Sequence, residues 1–337
     1  MSKTQSETNH FLGRHTALSL LKQRPSLWRR IPFLKDNDGH APPIVIAVGD
    51  RRRVYAIAHR LRNPVLLHEA GARLANRRRA KHLPSVDFGR IAMAIGTVAS
   101  IPVLVVETQM GSPATQIILN EVLSNQLTRN EYRIGSKTIS LPHKIVIRIG
   151  TAGGINCDSP PLIRVGDVVN ATHSIGAPGA IIQALSRLDF WHQDVYKQFR
   201  SKWGELGPDF TITRGGHPRV ECSTDVLEAI EAAAIRLAKN AYRRGGNITK
   251  DSLYAELSDD IFLELCRTEN CRTTEMELSA IAVTAQEHQA SFGMISAVVG
   301  VLPGSSFARN QKMRIAEERA VQVGLNAVAF LVETDPN

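Results

Sequence analysis

The chain has 337 residues, of which 43% are hydrophobic and 22% charged, and a formal net charge of +9. These values describe a soluble globular protein of one large domain or two small ones. The positive charge allows incidental RNA affinity, but aromatic residues make up only 5% and no RRM, KH or zinc-finger pattern interleaves with the arginine clusters, which speaks against a specific nucleic-acid function; a basic face would also steer phosphate.

The stretch up to about Phe33 is basic and nearly free of acids, a composition shared with mitochondrial presequences. Glu7 and the lack of a cleavage-like pattern count against that use. Residues 1–40 are read as an N-terminal extension.

PPIVIAVGDRRRV comes next, with an apolar strand from Ile44 to Val48, a turn at Gly49-Asp50 and three arginines, Arg51 to Arg53. Glycine at a strand end lets backbone N–H groups approach a ligand closely. One arginine delivered to that edge would meet an anion; Arg51 and Arg52 read as a solvated charge run at a helix start. Ile91 to Val106 is the longest uncharged run, but Pro102 interrupts it and it is shorter than the ~20 residues of a membrane-spanning helix. Two strands joined by a turn fit it better, and no membrane partner is expected. VLVVETQMGSPATQIILNEVL then gives a strand, a tight turn from Met110 to Pro113, and an amphipathic helix with Ser112 as N-cap and Pro113 at its first position.

IVIRIGTAGGINC, residues 145 to 157, is the most informative segment. Alternating Ile and Val indicate a strand covered on both faces, running through Arg148 into a glycine-rich turn from Gly150 to Gly154. A buried, unpaired guanidinium costs several kcal/mol. Its place near the carboxyl end of a strand suits a bound anion, since ligands of open α/β sheets collect there. An internal salt bridge is the alternative.

A strand from Asp167 to Ala171 leads into the Gly176–Gly179 loop. The pattern is irregular over 181–216 and reads as an insertion. Ser223-Thr224-Asp225 starts a capped helix. TTEMELSAIAVTAQ places Glu275 and Glu277 at a helix start, where two carboxylates can accept hydrogen bonds from a sugar diol or simply complement the helix dipole. A last strand from Met294 to Val301 and a closing helix from about Lys312 to Glu333 complete the order. Alternating strands and helices imply an α/β fold, a three-layer α/β/α sandwich. No repeat or low-complexity linker divides the chain, so 1–337 is read as a single domain. Cys157, Cys222, Cys266 and Cys271 lack metal-ligand or C-x-x-C spacing, and no H-E-x-x-H arrangement occurs, so reduced thiols in a cytoplasmic, metal-free protein are expected.

Taken together, four ordered segments resemble the nucleoside phosphorylase family that contains uridine phosphorylase and the hexameric purine nucleoside phosphorylases. Gly49-Asp50-Arg51-Arg52-Arg53 matches its GDPxR phosphate loop, with arginine in place of proline. Arg148, Gly150, Thr151 and Gly153 match its RxGTxG element, Gln109 to Ala114 match its GMGxPS turn more loosely, and Glu275-Met276-Glu277 match its EME motif intact. The resemblance covers roughly residues 40 to 330 and narrows the fold to a mixed, partly barrel-like central sheet.

The resemblance implies phosphorolysis of a nucleoside to free base and ribose 1-phosphate, with inorganic phosphate as co-substrate and no organic cofactor. Gly49, Arg53, Arg148 and Thr151 would hold phosphate, joined by Arg73 from a neighbouring subunit. Met276 would pack on the ribose, with Glu275 and Glu277 at its hydroxyls, and His10, within Asn9 to Gly13, would reach the 5′-hydroxyl across a dimer interface. A site completed by a neighbour implies a homo-oligomer built from dimers.

Gly153, Lys250 and Leu253 fall at the base. There the chain departs from both branches. Ile295 to Val299 lacks the acid that purine members carry, and Thr249 to Glu256 lacks the glutamine and arginine of uridine-specific members. Leu253 stands where the family stacks an aromatic, and Arg243, Lys250 or Arg267 are the side chains available to compensate. A pyrimidine nucleoside is the expected substrate. A non-catalytic homologue that binds phosphate or nucleoside, and a nucleoside hydrolase of the same fold, are the alternatives.

Overall fold

The structure, a computed structural model, describes residues 28–29, 31–68, 85–87, 91–157, 162–176, 195–251, 259–302 and 311–333. A short helix α1 (Pro32–Asp36) precedes β1 (Ile44–Val48), which turns directly into α2 (Arg51–Ala58). Strands β2 (Arg62–His68), β3 (Ser85–Asp87), β4 (Met93–Val98) and β5 (Ile101–Glu107) follow, then α3 (Ser112–Leu123). A hairpin, β6 (Glu131–Ile134) and β7 (Lys137–Ser140), leads to the long β8 (Lys144–Ile155). Beyond β9 (Val168–Ile175) come α4 (Val195–Glu205), β10 (Phe210–Ile212), β11 (Pro218–Glu221) and α5 (Thr224–Ala238). The chain closes with β12 (Tyr242–Thr249), α6 (Asp259–Thr268), β13 (Cys271–Glu275), α7 (Leu278–Glu287), β14 (Ala290–Leu302) and α8 (Gln311–Glu333).

Among the described residues, twelve strands form one mixed sheet in which β1 lies between β8 and β5, parallel to both. Strand β14 pairs with β8 on one side and with β9 on the other. Because β9, β12, β13 and β8 are themselves neighbours, β14 closes those strands into a ring of five. This is the partly barrel-like sheet expected from the sequence.

Side chains alternate across a strand, and β1 shows what that does here. Val45 and Ala47 enter one apolar cluster, built with Ile118, Leu119 and Val122 of α3 and with Leu278 and Ile281 of α7. Ile44, Ile46 and Val48 enter a second, built with Ile57 of α2, Ile230 of α5 and Val323 of α8. Helices thus cover both faces, which makes the three layers. Both faces being dry, the one place for a polar cleft is the rim where strands end.

Packing overrides several local expectations. The glycines from Gly150 to Gly154 form no turn; β8 runs straight through them, paired to β13 and β14. Their smallness serves close contact, since a Cβ on Gly154 would lie 2.6 Å from Ile163 Cγ2 and 2.8 Å from Val298 Cγ1. The irregular segment acquires regular structure from Val195 onward, where Phe199 packs on Trp203 one helical turn away and Trp203 packs in turn on Phe210, all three buried. Ser223 sits at the N-cap of α5 but makes no side-chain cap, its Oγ accepting instead from the Phe292 N–H. The run from Ile91 to Val106 is two strands, β4 and β5, joined at Ala99-Ser100, both left-handed. Among the described residues no helix is long and apolar enough to cross a membrane.

Candidate active site

The carboxyl ends of β1, β8, β12, β13 and β14 surround a cavity of 370 Å³. Of the residues singled out in the sequence, Gly49, Arg53, Arg148, Thr151, Gly153, Lys250, Glu275, Met276 and Glu277 all line it. His10, Arg73 and Leu253 lie outside the described residues. The wall also contains Asp50, Met110 and the run from Val299 to Leu302.

Arg148 is the centre of this arrangement and is 3% exposed. Its Nη2 donates to Glu277 Oε2 at 2.7 Å and its Nη1 to Thr108 Oγ1 at 3.3 Å. The guanidinium packs between two glycines: a Cβ on Gly49 would lie 3.4 Å from Nη2, and one on Gly150 would lie 3.3 Å from Nε. The expected alternatives, an anion or an internal salt bridge, both find support. The Glu277 pair satisfies one edge of the fork, while Nε is buried and donates to nothing. A buried donor left unsatisfied costs about 1–3 kcal/mol, so the orphan marks where a ligand oxygen would be welcome.

Arg53 stands on the first turn of α2. Its Nη2 donates to Thr151 Oγ1 at 3.3 Å and to Glu317 Oε1, on α8, at 3.0 Å. Asp50 caps this helix, accepting from the Arg52 and Arg53 N–H groups at 2.8 and 3.2 Å. Replacing Asp50 by alanine should therefore cost about 1 kcal/mol, read as a lower urea midpoint at unchanged m-value. Arg51 departs from the solvated role expected of it: its Nε donates to Glu107 Oε2 at 3.2 Å. Arg52 is exposed as expected.

The two glutamates divide their work. Glu275 ends β13 and accepts from the Glu277 and Leu278 N–H groups that open α7 and from Asn247 Nδ2 and Thr249 Oγ1. Its oxygens are committed to capping α7, away from the sugar-binding role expected of it. Glu277 accepts from the Gly111 N–H at 2.7 Å and from Arg148, and lines the cavity. Burial, and then the Glu277 charge, push Glu275 up to about 7. Burial also acts to raise Glu277, but the Arg148 guanidinium and the Gly111 N–H outweigh it and hold the carboxyl below its usual range. Of the two neighbouring carboxylates, Glu277 is thus the more readily ionised, because Arg148 stands beside it.

The strand-to-helix turn after β5 positions the Gly111 N–H. Gly111 has φ +87°, a left-handed conformation that glycine adopts without penalty. Gly111, not Ser112, is the N-cap of α3; Ser112 is inside the helix, and its Oγ donates to the Met276 carbonyl at 2.8 Å. The turn is thereby tied to the glutamate pair.

Strand β14 contributes Val299, Gly300, Val301 and Leu302 to the wall, none of which titrates. Lys250 lines the cavity; Arg243 and Arg267 do not, being engaged by Asp167 and Glu264 respectively. Glu317 and Thr108 escaped sequence reasoning because each acts through another side chain; for Met110 and the end of β14, no residue type announces a role.

A sequence model described as the phosphorylase superfamily matches residues 43–329. No curated protein matches the chain. Among solved structures, purine nucleoside phosphorylase from Toxoplasma gondii in complex with immucillin-H is similar at a TM-score of 0.58 and 19% identity, covering 88% of this chain and 93% of that one. Uridine phosphorylase from Vibrio fischeri ES114, complexed with 6-hydroxy-1-naphthoic acid, is similar at a TM-score of 0.54 and 18% identity, covering 86% and 92%. At such identities these likenesses establish the fold.

Proposed function

Since the chain belongs to the phosphorylase superfamily, we propose that it is a nucleoside phosphorylase acting on a pyrimidine nucleoside. The single observation that carries this reading is Arg148, a buried guanidinium on β8 that lines the cavity, with an orphan Nε and an ion pair to the carboxylate of Glu277. Arg148, Arg53, Thr151 and the Gly49 backbone would hold phosphate; Met276 and Glu277 would hold ribose.

In the proposed reaction a phosphate oxygen attacks C1′. The new bond is O–C1′; the bond that breaks is C1′–N, whose electron pair leaves with the base. Positive charge developing on the sugar is offset by the phosphate held beside it, so the arginines act by positioning and electrostatics, the largest usual terms. The departing base takes its proton from solvent. A base that leaves as a delocalised anion needs no acid, which agrees with the non-titrating end of β14 and favours uracil-type over purine substrates. No metal or organic cofactor enters. Arg73 and His10 would complete the site from a neighbouring copy, so the active form is a cytoplasmic homo-oligomer built from dimers.

One observation favours a second reading, a non-catalytic phosphate-binding homologue. Each phosphate-binding arginine already has a carboxylate: Glu317 for Arg53 and Glu277 for Arg148. Under the leading reading, phosphate displaces these partners. Glu317→Gln should then lower the KM for phosphate about threefold with kcat little changed, the ~0.2–1 kcal/mol of a partly exposed pair. A hydrolase has no need of the arginine pair. Uridine, thymidine, inosine and adenosine, each assayed with and without phosphate, test the proposal. Release of uracil or thymine only with phosphate supports it, release without phosphate indicates a hydrolase, and silence with phosphate still bound indicates the non-catalytic homologue.

A further inference from the structure

We infer that a second site, for a small phosphate-bearing ligand, lies at the amino-terminal end of β8. Its centre is Lys144, the first residue of that strand and 2% exposed. Three residues of strand, Ile145 to Ile147, lie between Lys144 and Arg148, which puts them about 13 Å apart at the usual rise, and the two cavities share no lining residue.

The Lys144 ammonium has three N–H donors and uses two, on the Leu123 carbonyl and on Asn125 Oδ1 at 2.6 Å. Both acceptors are neutral. Among the described residues no carboxylate forms an ion pair with Lys144, and burial alone pushes its pKa down to about 8. A buried ammonium without a counter-charge is costly, and ordinary structures pair it. Here Lys144 lines a cavity of 290 Å³ instead.

The rest of that wall matches an anion that also carries a hydroxyl. Arg129 stands at the exposed rim with no hydrogen-bond or ion-pair partner among the described residues. Asn125 and Gln289 bring side-chain amides. His288 Nε2 lies 2.9 Å from Asn120 Oδ1, an oxygen that only accepts, so Nε2 carries the proton and Nδ1 is left as an acceptor. Burial, and then the Lys144 charge, push His288 down to about 4, so the ring is neutral. Two cations for the oxyanion and the His288 acceptor for a hydroxyl suit a hydrogen phosphate or a small hydroxylated phosphate ester. The volume is near the lower end for metabolite pockets.

Equilibrium dialysis of the full chain against inorganic phosphate, and separately against ribose 5-phosphate, tests this. The expected result is one binding event per chain that survives Arg148→Ala and is lost in Lys144→Met, a change that keeps the length of the buried stem. Arg129→Ala should weaken the same event about tenfold, as expected for one charge-assisted hydrogen bond; this exposed residue decides the matter if Lys144→Met fails to fold. Binding of phosphate alone at this site identifies a free-phosphate site, and binding of ribose 5-phosphate alone a phosphate-ester site; either supports the inference. If neither probe binds independently of Arg148, or if such binding is indifferent to Arg129→Ala, the inference is overturned.

Discussion

Arg148→Ala is expected to lower kcat/KM for phosphate-dependent base release by two to three orders of magnitude, roughly 3–4 kcal/mol of transition-state stabilisation. The magnitude follows from what the guanidinium touches. It is buried, its Nε has no partner, and it sits between Gly49 and Gly150, where a phosphate could approach the backbone as well. In such a water-poor place a pre-oriented charge acts far more strongly than in solvent. Arg148→Lys is the informative companion: it keeps a positive charge but loses the planar fork, so it should recover only part of the rate. Phosphorolysis unchanged in Arg148→Ala would remove the assignment.

The same substitution should change the pH dependence of stability. In the wild type Glu277 is held below its ordinary value of 4.5, so its stabilising contribution is complete above that value and is lost as pH falls through the folded-state pKa. Without Arg148 the raising effect of burial is unopposed by that charge. Glu277 then favours its neutral form, and the variant should lose stability relative to wild type as pH rises from acid to neutral. Urea midpoints at acid and neutral pH would show the gap between the two proteins widening upward. A gap independent of pH would mean that the Arg148–Glu277 pair is not what keeps Glu277 ionised.

Glu277→Gln is expected to reduce kcat/KM for ribosides about tenfold to a hundredfold more than for the matching 2′-deoxyribosides. A carboxylate accepting from a sugar hydroxyl makes a charge-assisted bond of about 1.5–3 kcal/mol, and the deoxy sugar lacks one such hydroxyl. Glutamine retains an acceptor for the Gly111 N–H, so the turn before α3 should hold. Equal losses on the two sugars would instead say that Glu277 serves only to orient Arg148.

Much of this site was legible because its residues break local rules. An arginine inside a run of Ile and Val, and a glycine-aspartate pair between a strand and a helix, conflict with simple core packing. Such conflicts gather at functional sites. What stayed hidden depends on contacts between distant parts of the chain. Glu317 reaches Arg53 across 264 residues, and nothing in the α8 sequence singles it out from Glu318. Glu275 looked equivalent to Glu277, and only the start of α7 shows its oxygens spent on backbone N–H groups. The glycines after Arg148 read as a turn because glycine usually ends strands; here they stay in the strand, and at Gly154 neighbouring side chains approach too closely for a Cβ. Lys144 carried no signal either, since a lysine opening a strand is ordinarily solvated.

The most direct measurement is phosphorus NMR of the purified protein incubated with uridine and inorganic phosphate. The account predicts that the phosphate resonance declines while a ribose 1-phosphate resonance grows in step with free uracil. Uracil appearing while the phosphate resonance stays constant would contradict it, because the cleaving nucleophile would then be water.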